Sequence, residues 1–92
     1  MSRKIHHLKL IDASGGIEER IIWEVPKSAK CPDGIRYRLA YIPKGSDTPS
    51  VLYDNHHPKG HHKHLRHRQF PYRFTDVEQL LEDFGRDVEA SK

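Results

Sequence analysis

The octet IRYRLAYI, Ile35 to Ile42, constrains the chain more than any other stretch. Ile35, Tyr37, Leu39 and Tyr41 alternate with Arg36, Arg38, Ala40 and Ile42. A period of two makes one apolar and one mixed face only on an extended strand. An isolated strand or hairpin is marginal in water, so the rest of the chain has to supply pairing partners and a cover.

The partners are readable on both sides. Ile5 to Ile11 alternates Leu8 and Leu10 against Lys9, and Ile17 to Val25 sets Ile17, Ile21, Trp23 and Val25 against Arg20, Ile22 and Glu24. Gly15 and Gly16 between them mark a hairpin turn. Pro26 to Gly34 and Pro43 to Ser50 read as loops, and Ser50 to Asn55 as a short fourth strand. Phe70 to Phe74 returns as a short extended piece, which Pro71 confines to a sheet edge.

The period then changes once. Val77, Leu80, Leu81, Phe84 and Val88 form a single helical stripe. Thr75 with Glu78 has the spacing of a capping box. Gly85 weakens the helix but lies off the stripe. The expectation is one α+β domain over residues 1–92: a four- to five-stranded antiparallel meander with one C-terminal amphipathic helix packed on one face. The opposite face stays partly open and carries Arg36 and Arg38.

Composition sets the scale. The 92 residues give room for one core, and a mean hydropathy of −0.85 makes that core small. A partner, or a second copy in a homodimer, would add buried surface. The single Cys31 rules out an internal disulfide and fits a reducing compartment. Neither a membrane-length apolar run nor a signal-peptide pattern is present in the sequence, so a cytoplasmic location is expected.

Charge is sorted along the chain. Asn55 to Thr75 holds five cations (Lys59, Lys63, Arg66, Arg68, Arg73) and no acid, whereas Asp76 to Glu89 holds six acids against Arg86 alone. Six of the eight histidines fall within NHHPKGHHKHLRHR, Asn55 to Arg68. Three chemistries compete for that segment.

A metal site would use His62 and His64 at i and i+2 with His56 or His57 and Asp54. The surrounding cations repel a dication, and Cys31 completes no ligand spacing, so neither metal nor cofactor is expected. Acid–base cleavage of a phosphodiester needs a base, an acid and cations, all of which the segment supplies. In that reading His62 and His64 are the proton-transfer pair, with His56 as substitute. Lys59 with Arg66 or Arg38 neutralises the phosphate, and Asp54 is the available orienting carboxylate. Plain binding would instead rest on Arg36, Arg38, Lys63, Arg66, Arg68 and Arg73, with Tyr53 and Tyr72 as stacking surfaces. A histidine or aromatic taken singly is more often structural; the cluster is what stands out.

Three motifs in order carry a resemblance. YRLAYI, then LYDNHHPKGHHKH, then PYRF followed by DVEQLLEDFGRDV resembles the TumE-type family of small prokaryotic toxin–antitoxin proteins. Tyr53, Asp54, Asn55, Lys59, Gly60, His62 and His64 fall on that family's motif positions, while His61 stands where the family usually has Asp. The resemblance implies a toxin silenced by a cognate helix-turn-helix antitoxin. Joined to the residue reading, it gives the expected function: a type II toxin acting on RNA as a metal-independent ribonuclease. The competing expectation is a non-catalytic protein that binds nucleic acid or an antitoxin.

Overall fold

The computed structural model describes residues 2–92. Six strands follow one another in both sequence and space: β1 (Arg3–Ile11), β2 (Ile17–Glu24), β3 (Ile35–Ile42), β4 (Val51–Asp54), β5 (His62–Leu65) and β6 (Arg68–Pro71). Every neighbouring pair is antiparallel. One helix, α1 (Val77–Ser91), closes the chain. The expected α+β meander with a C-terminal helix on one face is therefore the fold, but the sheet has six strands rather than four or five.

The extra strand is β5, HKHL, inside the histidine-rich segment. It lacks apolar alternation and is a strand because Val51 to Asp54 pairs along it, Tyr53 opposite Lys63 and Asp54 opposite His62. The final strand is Arg68–Pro71, so only the first half of FPYRF is extended in the sheet. It occupies the edge, as Pro71 requires. The helix starts one residue later than the Thr75 reading. Asp76 is the N-cap, its side chain accepting the Gln79 N–H at 2.7 Å.

Register decides the two faces. Glu18, Arg20, Ile22 and Glu24 of β2 lie opposite Tyr41, Leu39, Tyr37 and Ile35. That set, continued by Val51 and Tyr53, lies on the face that α1 covers with Leu80, Phe84 and Val88. Ile22, Leu39, Tyr53, Leu80 and Phe84 are fully buried there. Tyr53 meets Phe84 edge-to-face at 5.6 Å, and the Arg20 guanidinium lies over the outer side of the Phe84 ring at 5.4 Å.

The acidic helix is also pinned by its carboxylates. Asp87 accepts the Tyr53 hydroxyl and pairs with Lys63 at 3.1 Å. Asp83 accepts the Tyr72 hydroxyl at 2.6 Å, Gln79 Nε2 at 2.8 Å and Arg86 at 2.8 Å. Burial works against the Asp83 charge, yet these donors hold its carboxyl below the usual range. Burial foremost, then the adjoining carboxylates, pushes the Tyr53 and Tyr72 phenols well above theirs.

Candidate functional site

The face opposite α1 carries most of the candidate residues. Across it, Ile21, Arg38, Asp54 and His62 stand in one cross-strand row, and Ala40, Leu52, His64 and Gln69 in the next. Two-residue periodicity places His62 and His64 on the same side, and their rings meet edge-to-face at 5.1 Å. Lys63 between them points to the other face and its helix partner Asp87.

The segment joining β4 to β5 is held at both ends. The Asn55 side chain extends the sheet by one rung: Oδ1 accepts the Tyr37 N–H at 3.0 Å and Nδ2 donates to the Ile35 carbonyl at 2.6 Å. Asp54 Oδ1 accepts the His56 N–H at 3.2 Å. Gly60 has a left-handed φ of 70°, which suits glycine, and its N–H closes the loop on the His56 carbonyl at 3.3 Å. The Gly60 carbonyl then accepts His62 Nδ1–H at 2.8 Å, while His62 Nε2 faces Asp54 Oδ1 at 3.1 Å.

His62 is thus 6 % exposed with both nitrogens directed at acceptors. A neutral imidazole has one N–H and serves one acceptor; the doubly protonated ring serves both. His64 is half-buried and His56 exposed. The His56 ring lies 3.5 Å from the Arg36 guanidinium, and Lys59 reaches Gln69 at 3.4 Å across β5. Asp54, His56, His57, Pro58, Lys59, His62 and His64 enclose a cavity of about 300 Å³. Asp54 is the single acid of that lining and is already matched to His62.

The other sequence candidates are dispersed. Arg38 is exposed on the same face, opposite Asp54. Tyr53, Lys63 and Tyr72 turn to the helix side and are engaged by Asp83 and Asp87. Arg66 and Arg68 flank the β5–β6 turn. At about 3.3 Å per residue they lie roughly 10 Å or more along the strand from His62. Arg73 is exposed beyond β6. Among the described residues, no group of three or more His, Cys, Asp or Glu side chains is placed to hold a metal ion.

His57, offered by the sequence reading only as an alternative metal ligand to His56, lines the cavity beside it. One feature escaped that reading. His61 points away from the cavity. Its Nε2 meets Asp33 Oδ2 at 2.6 Å, its Nδ1 meets the Tyr37 hydroxyl at 2.9 Å, and its ring stacks on Phe74 at 4.9 Å. The residue therefore ties the β2–β3 loop to the start of β5. The site's carboxylate comes from Asp54, the last residue of β4, which pairs with His62 and is not adjacent to His61 in the chain.

A six-stranded antiparallel sheet, one helix on one face and a histidine-lined cavity on the other define a class: small α+β meander proteins with a surface cavity on the open face of the sheet. Within it the comparison is specific. The family model described as "Toxin TumE" matches residues 3–92, and the chain belongs to the TumE toxin family. No curated protein and no solved structure matches it. Membership of a toxin family implies an antitoxin as partner. Among the described residues, no helix is long and apolar enough to cross a membrane.

Proposed function

We propose that the chain is the toxin of a type II toxin–antitoxin pair and acts as a metal-independent ribonuclease. The observation that carries this reading is the cavity: three imidazoles beyond His62, one lysine and the neighbouring Arg36 surround a space whose only carboxylate, on Asp54, is engaged by His62 Nε2. Such a lining attracts a phosphodiester and offers groups that exchange protons near neutrality.

The division of labour follows from which nitrogens are free. His62, with both nitrogens engaged by Gly60 and Asp54, positions His64 by edge-to-face contact. His56, His57 and His64 line the site, and the proposed proton-transfer pair is His64, beside His62, with His56, beside Arg36. One takes the proton of the ribose 2′-hydroxyl, whose oxygen attacks phosphorus. The other protonates the departing 5′-oxygen, leaving a 2′,3′-cyclic phosphate and a 5′-hydroxyl end. Lys59, Arg36 and Arg38 stabilise the charge gathered on the phosphorane oxygens.

Expression in cells without the antitoxin should arrest growth, and His64→Ala and His56→Ala should each relieve the arrest. Purified protein should cut single-stranded RNA to those termini in the presence of chelator. Either substitution should slow the cut by about 10²–10⁴-fold. Salt-sensitive RNA binding with no cleavage at any protein concentration would overturn the catalytic reading in favour of a binder.

A further inference from the structure

A second cavity, of about 430 Å³, adjoins the first and shares His56 and His57 with it. It lies between the β2–β3 loop and the start of the β4–β5 loop. Val25, Pro26, Ser28, Lys30, Cys31 and Arg36 line it together with Asn55.

Its loop wall is braced by the protein's own hydrogen bonds. The Val25 N–H donates to the Gly34 carbonyl at 2.9 Å, and Ser28 and Cys31 exchange backbone hydrogen bonds at 3.2 and 3.1 Å. The Cys31 thiol donates to the Ile35 carbonyl at 3.1 Å. Asp33, in the same loop, is bonded to His61 across the gap at 2.6 Å. Preformed walls lower the ordering cost of binding.

The lining matches a nucleotide. Val25 and Pro26 offer apolar surface for the faces of a base; Ser28 and Lys30 offer polar groups for its edge. Arg36 stands at the junction of the two cavities, 3.5 Å from His56. There a guanidinium would meet the phosphate linking a unit in one cavity to its neighbour in the other. The lining contains no acid. The volume is at the low end of small-ligand sites, which run from about 300 to 1,000 Å³, and suits one nucleotide rather than two.

We propose that this cavity is a nucleotide subsite. It holds one ribonucleotide of a single-stranded RNA next to the phosphate at His56 and His64, with Arg36 on the linking phosphate and Ser28 and Lys30 on the base. The inference rests on the RNA reading for its biological ligand, but binding is measurable without cleavage.

The test is an amide NMR titration of the full chain with 5′-nucleoside monophosphates and, separately, with inorganic phosphate. Nucleotides should shift the amides of Ser28, Lys30 and Cys31 in a saturable way, and inorganic phosphate should not. Lys30→Glu should weaken nucleotide binding at least several-fold with an unchanged spectrum elsewhere. Lys9→Glu, on the exposed strand β1, should leave it within about twofold, and because binding is read without cleavage, loss of cleavage and loss of the subsite are separable. Slower alkylation of Cys31 when nucleotide is added provides a second readout. Shifts confined to His56–His64, identical responses to phosphate and nucleotide, or no saturable response from any of the four monophosphates would overturn the proposal.

Discussion

Lys63 and its neighbours show how far one residue's meaning depends on pleat. His62, Lys63 and His64 are consecutive, yet the two imidazoles face the cavity and the lysine faces Asp87 on the helix. Alternation was enough to pair the histidines on one side. It could not tell that Tyr53, Lys63 and Tyr72 would be held by Asp83 and Asp87, because those contacts join residues 11 to 34 positions apart. The buried phenols make this side measurable. Burial first raises Tyr37, Tyr53 and Tyr72 far above ordinary phenols, helped by the neighbouring Tyr72 and then Asp54 at Tyr37, by Asp87 at Tyr53 and by Asp83 at Tyr72. A folded phenol that holds its proton more tightly than an unfolded one stabilises the fold below about pH 10, and that contribution is lost as pH rises further. Phenolate absorbance and loss of the circular dichroism signal should therefore rise together in alkali. Free titration of all tyrosines in a still-folded protein would contradict the packing.

Among the elements, α1 was the most legible, because a helical stripe is a local pattern. Only its cap moved, from Thr75 to Asp76, a choice between adjacent residues of similar capping chemistry. β5 was the least legible. Its pairing with β4 is tertiary, and its turn uses Arg66 at a φ of 61° where a tight hairpin ordinarily signals itself with Gly or Asn. Two substitutions probe element stability. Gly85→Ala should stabilise the protein by up to about 1 kcal/mol by helix propensity. The new methyl meets Arg20 Nη2 at an ordinary 3.9 Å, and a rise in thermal midpoint checks it. Asp12 joins the β1–β2 turn to the chain's end. It accepts from Ser14, Gly16 and Tyr41, with Lys92 at 3.3 Å. The Ser14 and Tyr41 hydrogen bonds hold its carboxyl far below the usual range. That stabilisation is present above about pH 4 and is lost as pH falls below it. Thermal melts across that range should show a steeper acid loss for wild type than for Asp12→Asn.

At the scale of the whole molecule, a formal charge of +3 conceals a sorting by face. The helix draws Asp83 and Asp87 onto one side of the sheet, while Arg36, Arg38 and Lys59 remain on the other. If those three cations each meet a phosphate, the logarithm of RNA affinity should fall with that of salt at a slope of about −2. Arg38→Gln should reduce the slope by about 0.7, and a flat dependence in a salt series would remove Arg38 from the interface.

Periodicity and turn residues, all local, determined by themselves that this chain is a small α+β meander with one terminal helix. An ordered set of short motifs identified its family. Only the tertiary structure decided which β2 face is covered, that the histidine segment contains a strand, and that Asp54, the carboxylate the sequence offered, meets His62 across the β4–β5 pairing. The physical reason is register. Cross-strand pairing brings together residues that no spacing in the sequence relates, and both the cavity and its charge are built from such pairs.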